Sequence, residues 1–260
     1  CGAVNRRAVE GIIEDFEQRE GVTINASYAG CGTLTGKMKI IKDQRPELGF
    51  PDVYMACDVY YLENVQEWFQ DAANVSDAEI VIAVPKGSSK VRELKDLLKP
   101  GVRVAVGEPE KCTIGALTRR ILEREELYDA LKEKQRQNGE VVVELDSSAM
   151  LIPQVVSIND ITHVDAAVVY ITDALANKDR IDIVRIESPL NIAVQPFSIA
   201  KTSDHKYLLR RLFQRIAATP EAFEGVGFHF RLDDKSAKTD DDFPLEVVDA
   251  AGAQREASSQ

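Results

Sequence analysis

Histidine is scarce in this chain: three in 260 residues, at His163, His205 and His229, far apart in sequence. No Ser/His/Asp or Cys/His arrangement is visible around them, which argues against an enzyme. The four cysteines, Cys1, Cys31, Cys57 and Cys112, include no C-x-x-C pair, so neither a zinc ribbon nor a thioredoxin-like motif is indicated. No window of 18 apolar residues occurs, so no helix of the chain is expected to span a membrane. Positive charge is also in deficit, with 32 Lys and Arg against 43 Asp and Glu and a net charge of -11. Duplex nucleic acid needs a dense basic surface and is therefore not an expected partner. Acidity does not exclude a small anion. Surface charge is screened beyond roughly 8 Å at physiological salt, and backbone N–H groups hold an anion unaided. A leader segment is missing too: the chain opens on "CGAVNRRAVE", which reads as a mature form or a fragment.

What is present is an ordinary globular composition, 44% hydrophobic and 29% charged, long enough for one large domain or two of usual size. Val9, Ile12, Ile13 and Phe16 recur at helical spacing, and Gly21 follows as a stop. "VTINASYA" alternates and predicts a strand with one covered face. "GCGTLTGKMKIIKD" predicts a helix after a glycine-rich turn, "PDVYMA" a short strand, and "DVYYLENVQEWF" a helix capped by Asp58. Beyond these, strands are expected at "EIVIAVP", "VRVAVG", "VVVEL", "DAAVVY", "IDIVRI" and "LNIAVQPFSIA". Helices are expected at "VRELKDLLKPG", "SAMLIPQVVS" and "KYLLRRLFQRIAA", with one long helix over "IGALTRRILEREELYDALKEK". Strands alternating with helices point to an α/β fold with largely parallel sheets. The acidic, small-residue tail 233–260 is expected to be disordered.

Ligands of α/β sheets collect at strand-to-helix loops, near helix N-termini. Four loops qualify: "CGAVN", "AGCGTL", "ACDVY" and "GEPEKCTIG". Every cysteine falls in one of them. Apart from Asp58, Glu108, Glu110 and Lys111 they consist of small or neutral residues, which let backbone N–H groups approach a ligand. The second loop imitates a phosphate-cradling P-loop, but Gly30 and Gly36 enclose five residues instead of four, and Met38 stands where the hydroxyl for magnesium belongs. Its alternatives are a plain turn and a cradle for a small anion.

Five segments in register resemble the periplasmic molybdate-binding proteins of ABC uptake systems: "GVTINASYAGCGTLTGKM", "PDVYMACD", "IVIAVPKGSSKVRELKDLLKPGVRVAVGEPEKCTIGALTRRIL", "HVDAAVVYITDA" and "AATPEAFEGVGF". Together they extend over about residues 1–231. The resemblance implies a two-lobed periplasmic-binding-protein-like fold of type II, with its ligand cleft between lobes that close on the ligand. It implies lobe 1 at 1–80 plus 189–232 and lobe 2 at 81–188. It implies an oxyanion held by neutral donors at helix N-termini: Ala3, Val4 and Asn5 in the first loop, and Gly30, Cys31, Gly32 and Thr33 in the second. In the second lobe it implies Thr113, Ile114, Ala149, Met150 and Tyr170. Two positions depart from the family pattern, Val4 and Cys31, where the family has serines. The implied ligand is molybdate or tungstate, the implied partner an ABC permease, and the implied setting periplasmic or extracytoplasmic. No cofactor and no bound metal cation are expected, and the chain is expected to act as a monomer.

Other readings of the same residues stand beside this one. Hydrogen phosphate would need an acceptor for its proton, for which Asp58 and Asp146 are candidates; sulfate would not. Arg6 would add charge behind the first loop. Tyr170 also reads as a core tyrosine, Asp173 as a cap or hinge contact, and Asp52 and Asp58 as local structure. The cysteines read as small loop residues, as a disulfide such as Cys1 with Cys31, or as a soft-metal thiolate site. Cys1 reads either as a lipidated terminus or as the start of a chain truncated near its first strand. An effector-sensing regulator domain would share the fold.

Overall fold

The computed structural model describes residues 1–137, 140–157, 163–232, 247–248 and 254–255. In chain order the main elements are α1 Arg6–Glu20, α2 Cys31–Gln44, β1 Val53–Met55, α3 Val59–Glu63, β2 Ala73–Pro85 and β3 Val104–Gly107. They continue with α4 Thr113–Arg124, α5 Tyr128–Arg136, β4 Val142–Leu145, α6 Leu151–Val156, β5 Ala166–Tyr170 and α7 Ile171–Leu175. After these come β6 Ile181–Arg185, β7 Ile192–Ile199, α8 Lys206–Ala217, α9 Pro220–Glu224 and β8 His229–Phe230. The tail at 233–260, apart from the two short stretches named, lies outside the described residues. The chain divides into two compact units, Cys1–Asp77 with Val194–Gln260, and Ala78–Ala193.

In the first unit β1 runs antiparallel to β7, with Val53 opposite Ile199 and Met55 opposite Phe197. The start of β2 pairs antiparallel with β8. α1 buries Val9, Ile12 and Phe16, and ends at Gly21, whose φ of 65° is the left-handed cap that glycine adopts without strain. It packs on α8 and α9. Arg215 and Arg211 of α8 pair with Asp15 and Glu20 of α1 at 2.9 and 2.7 Å. Gln195 is fully buried. Its amide oxygen accepts from the Ser76 hydroxyl at 3.0 Å, and its nitrogen donates to the Cys57 carbonyl at 3.0 Å. Both ends are thus satisfied, as a buried amide requires.

In the second unit β3 pairs in parallel with β4 and with β5. The remainder of β2 pairs antiparallel with both β5 and β6. α4 and α6 cover this sheet. Asp165 is buried, accepting from Lys90 Nζ at 2.7 Å and from the Arg103 N–H at 2.8 Å. Burial opposes its charge, but the Arg103 N–H and Lys90 outweigh burial and hold its carboxyl below the usual range. A depressed folded-state pKa gives stability that is present above the unfolded value of about 3.9 and is lost as pH falls through the folded value. Asp165→Asn should therefore lower stability at pH 7 by about 2 kcal/mol, the scale of a hydrogen bond to a charged group. Urea unfolding at pH 7 and pH 3 should show the gap between variant and wild type closing at the lower pH; a gap independent of pH would refute the assignment.

Four sequence expectations are corrected. "VTINASYA" is not a strand: among the described residues its only ladder contact is a parallel bridge between Gly2 and Ala29. The Ile24 N–H goes instead to Glu17 Oε1. Alternation needs a neighbouring strand to become a ladder, and among the described residues only Cys1–Ala3 lies alongside, against Ser27–Ala29 at the segment's end. The single helix over 114–134 is two, because Glu126 takes φ 58°. The Leu127 N–H reaches the Leu122 carbonyl at 2.7 Å and the Glu126 N–H reaches Glu123 at 3.1 Å, closing a Schellman motif around a glutamate. "VRELKDLLKPG" contains only a 3₁₀ turn at Leu94–Leu98, with the Arg92 N–H drawn to the Asp96 carboxylate at 2.9 Å. The sheets are not largely parallel. Among the described strands only the pairs joined through helix crossovers, β3–β4 and β3–β5, run that way.

Candidate functional site

The site residues expected from the sequence fall into two sets, one in each unit. In the first unit, a 3₁₀ turn at Ala3–Asn5 leads into α1, α2 begins at Cys31, and the turn after β1 leads into α3. Hydrogen bonds from backbone and side chains hold these three loops together. The Gly2 N–H donates to the Met55 carbonyl at 2.8 Å, and the Ala3 N–H to Ala29 at 3.0 Å. The buried Asn5 amide donates to the Ala56 carbonyl at 3.0 Å. The Cys57 N–H donates to Cys31 Sγ at 3.1 Å.

These bonds decide which donors remain for a ligand. The Ala3 N–H is engaged by the Ala29 carbonyl of the second loop, and the Asn5 N–H by the Gly2 carbonyl at 3.1 Å. At α2 the N-cap is Gly30, which has no capping side chain. The Leu34 N–H closes the first helical bond, to the Gly30 carbonyl. A helix geometry leaves the N–H groups of its first turn without helix carbonyls, among them those of Gly32 and Thr33. Gly32 is half-buried and Thr33 exposed, while Cys31 and Val4 are buried. Asn5 Oδ1 is a buried acceptor with no hydrogen-bond partner among the described residues.

No uncompensated cation is supplied by Arg6. Its guanidinium pairs with Glu10 at 2.9 Å and lies 5.4 Å from the Tyr28 ring centroid. The hydrogen bond to Glu10 raises the Arg6 pKa, and burial raises that of Tyr28. Asp58 serves as structure. One oxygen caps α3 at the Tyr60 N–H (3.0 Å), and the other accepts from the Val194 N–H of β7 at 2.9 Å.

In the second unit, Cys112 is the N-cap of α4, and its thiol donates to the Leu145 carbonyl at 3.4 Å. Thr113 and Ile114 are each 1% exposed. The Thr113 hydroxyl is buried and has no hydrogen-bond partner among the described residues. The strand-to-helix turn here is unusually close. A Cβ on Gly115 would stand 2.5 Å from the carbonyl oxygens of Gly107 and Glu108, and one on Gly107 would stand 2.6 Å from the Gly115 nitrogen. Ala149 and Met150 lie in a 3₁₀ turn, Ser148–Met150, and are both exposed. Tyr170 is buried at the end of β5, opposite Ile80 of β2. Asp146 is held by Lys111 at 3.1 Å.

Sequence reasoning missed Gly2, whose backbone lies against Cys57 and Cys31, and the pairing of Cys31 with Cys57 across 26 positions. It also missed the Gly107–Gly115 contact, for which "VG" at a strand end and "TIG" at a helix start were the available signals. Among the described residues no group of three or more His, Cys, Asp or Glu side chains is placed to hold a cation.

Residues 1–228 match the family described as bacterial extracellular solute-binding protein. A Bacillus subtilis protein, named as an ABC transporter substrate-binding lipoprotein, is 28% identical over 233 residues, covering 85% of this chain and 81% of its own. Among solved structures, the periplasmic molybdate-binding protein of Azotobacter vinelandii superposes with TM-score 0.65 at 17% identity, over 88% of this chain and 97% of its own. The sulfate-binding protein SubI of Mycobacterium tuberculosis gives 0.64 at 16% identity, over 91% and 86%. At such identities the structural likenesses speak for the fold.

Proposed function

Because the chain belongs to the bacterial extracellular solute-binding protein family, we propose that it captures a small oxyanion, molybdate or tungstate before others, and delivers it unchanged to the permease of an ABC importer. In this reading it works outside the cytoplasm, as a monomer, and without a cofactor. The observation that carries the reading is the first-unit loop set. The uncapped start of α2 presents first-turn N–H groups among loops whose nearby charges are already spent. Helix N-termini attract anions through these groups and through about half a positive charge at the helix end. Thr113, Ile114, Ala149, Met150 and Tyr170 are the second-unit residues proposed to contact the same ligand.

Selectivity follows from what the donors lack. A fully deprotonated dianion needs donors only, whereas hydrogen phosphate also needs an acceptor. Asp58 accepts from Tyr60 and Val194, and Asp146 pairs with Lys111, so both carboxylates are occupied. Asn5 Oδ1 is a buried side-chain acceptor of the loop set that has no partner among the described residues. The names of the structural relatives point to both molybdate and sulfate, and both are dianions of the kind the donors suit.

Calorimetric titration with molybdate, tungstate, sulfate and phosphate tests the reading. Molybdate and tungstate are expected to bind tightest and to raise the melting temperature. Phosphate binding as tight as theirs would assign Asn5 Oδ1 the role of proton acceptor and remove the preference for deprotonated anions. Millimolar or weaker binding of all four would end the oxyanion reading.

A further inference from the structure

Cys31 and Cys57 come from separate loops, yet their sulfurs lie 2.9 Å apart. Both side chains are buried, at 0% and 4% exposure. The approach is built in from several directions. The Cys57 N–H donates to Cys31 Sγ at 3.1 Å. Cys31 occupies the first position of α2, and the Cys57 carbonyl is fixed by the Gln195 amide. Residue 2 completes the enclosure: a Cβ there would stand 2.2 Å from Cys57 Sγ and 3.0 Å from Cys31 Sγ, so its backbone can lie against both sulfurs only as glycine.

A shared metal does not explain this spacing. Two thiolates on one tetrahedral zinc, at about 2.3 Å each, hold their sulfurs roughly 3.8 Å apart, and no third ligand group accompanies them among the described residues. The geometry points to a modification site: we propose that Cys31 and Cys57 are a dithiol that closes to an intramolecular disulfide, tying the start of α2 to the turn after β1. This proposal goes beyond the oxyanion reading and does not depend on it.

The chemistry is thiol–disulfide exchange with a small-molecule disulfide. The thiolate of one cysteine attacks a sulfur of the reagent, forming a mixed disulfide and releasing one reagent thiolate. The second cysteine then loses its proton to solvent, attacks the protein sulfur of the mixed disulfide, and releases the other reagent thiolate, each thiolate taking up a proton. Two protein thiols are oxidised to one S–S bond, and one reagent disulfide is reduced to two thiols. A sulfur at a helix N-terminus that accepts an N–H bond is suited to act as the attacking thiolate. Because both sulfurs are buried, the exchange runs during folding or through local opening of the first loop.

The test is to reduce and denature the full chain, refold it in a glutathione redox buffer, and map its disulfides by mass spectrometry with thiol counting. Under oxidising buffer the expected result is a linked Cys31–Cys57 peptide, with two of the four cysteines, Cys1 and Cys112, still titratable. The Cys112→Ser variant should form the same link and Cys57→Ser should not. The oxidised chain should melt about 7–14 °C higher, as closing a loop of this size predicts. Retention of all four thiols in oxidising buffer, or a bridge that uses Cys1 or Cys112, would overturn the proposal.

Discussion

Gly32→Asp is expected to abolish oxyanion binding while leaving the fold intact. Gly32 is half-buried at the second position of α2, beside the N–H groups proposed to hold the anion. A carboxylate about 4 Å from a dianion costs about 8 kcal/mol at an effective dielectric of about 20. Even if solvent removes half of that, the loss exceeds a hundredfold in affinity. The fold responds in the opposite sense. An acidic side chain in the first turn favours the helix by about 0.3–1 kcal/mol, and α2 has no acidic residue there now. Calorimetry and thermal melting of one variant thus read two opposite effects of one charge. Wild-type affinity in a folded Gly32→Asp chain would remove this loop from the site.

Gly115→Ala carries the largest expected stability effect. The methyl group would meet the carbonyl oxygens of Gly107 and Glu108 at 2.5 Å, and both are backbone atoms at the end of β3. A crowded side chain can rotate away; a strand end can yield only by shifting the helix. Overpacking costs about 1–3 kcal/mol where side chains can adjust, and this contact lies at the upper end or beyond. About 3 kcal/mol corresponds to a fall of about 6–12 °C in melting temperature for a chain of this size. Gly36→Ala is the control, since a Cβ there meets nothing within 4 Å. Equal melting temperatures for the two variants would show that α4 does not sit so close to the end of β3.

The sequence made legible those elements whose signal is local. α1 shows its buried face in Val9, Ile12 and Phe16 and its stop in Gly21. Asp58 announces the cap of α3, and the glycine-rich turn announces α2. Where the outcome depends on a partner distant in sequence, the reading fell short. Alternation in "VTINASYA" assigns faces but supplies no neighbouring strand. The α4–α5 break lacks a signal because a glutamate occupies the left-handed position that glycine usually takes. For the candidate site, the four loops could be picked out by composition, and the cysteine concentration in them was visible. Which cysteines meet was not, because loop-to-loop distance is a tertiary property; a disulfide such as Cys1 with Cys31 was one of three readings of the cysteines, and Cys57 is the neighbour of Cys31. Nor could a sequence show that Asp58 is spent on the Val194 N–H, 136 positions away.

The first unit is discontinuous, and this sets an order of events as the chain emerges. Residues 1–77 precede the second unit, but the rest of the first unit, from Val194 onward, follows only once all of the second unit has been made. At about 5–20 residues per second, that interval is of the order of ten seconds. Throughout it β1 lacks the strand that pairs with it, and the Cys57 carbonyl and Asp58 lack Gln195 and Val194. The second unit is contiguous and can complete itself in the meantime. The first-unit loops proposed to hold the anion are therefore made before the second unit and are among the last to be secured, a window in which oxidants and proteases reach residues that the finished protein hides.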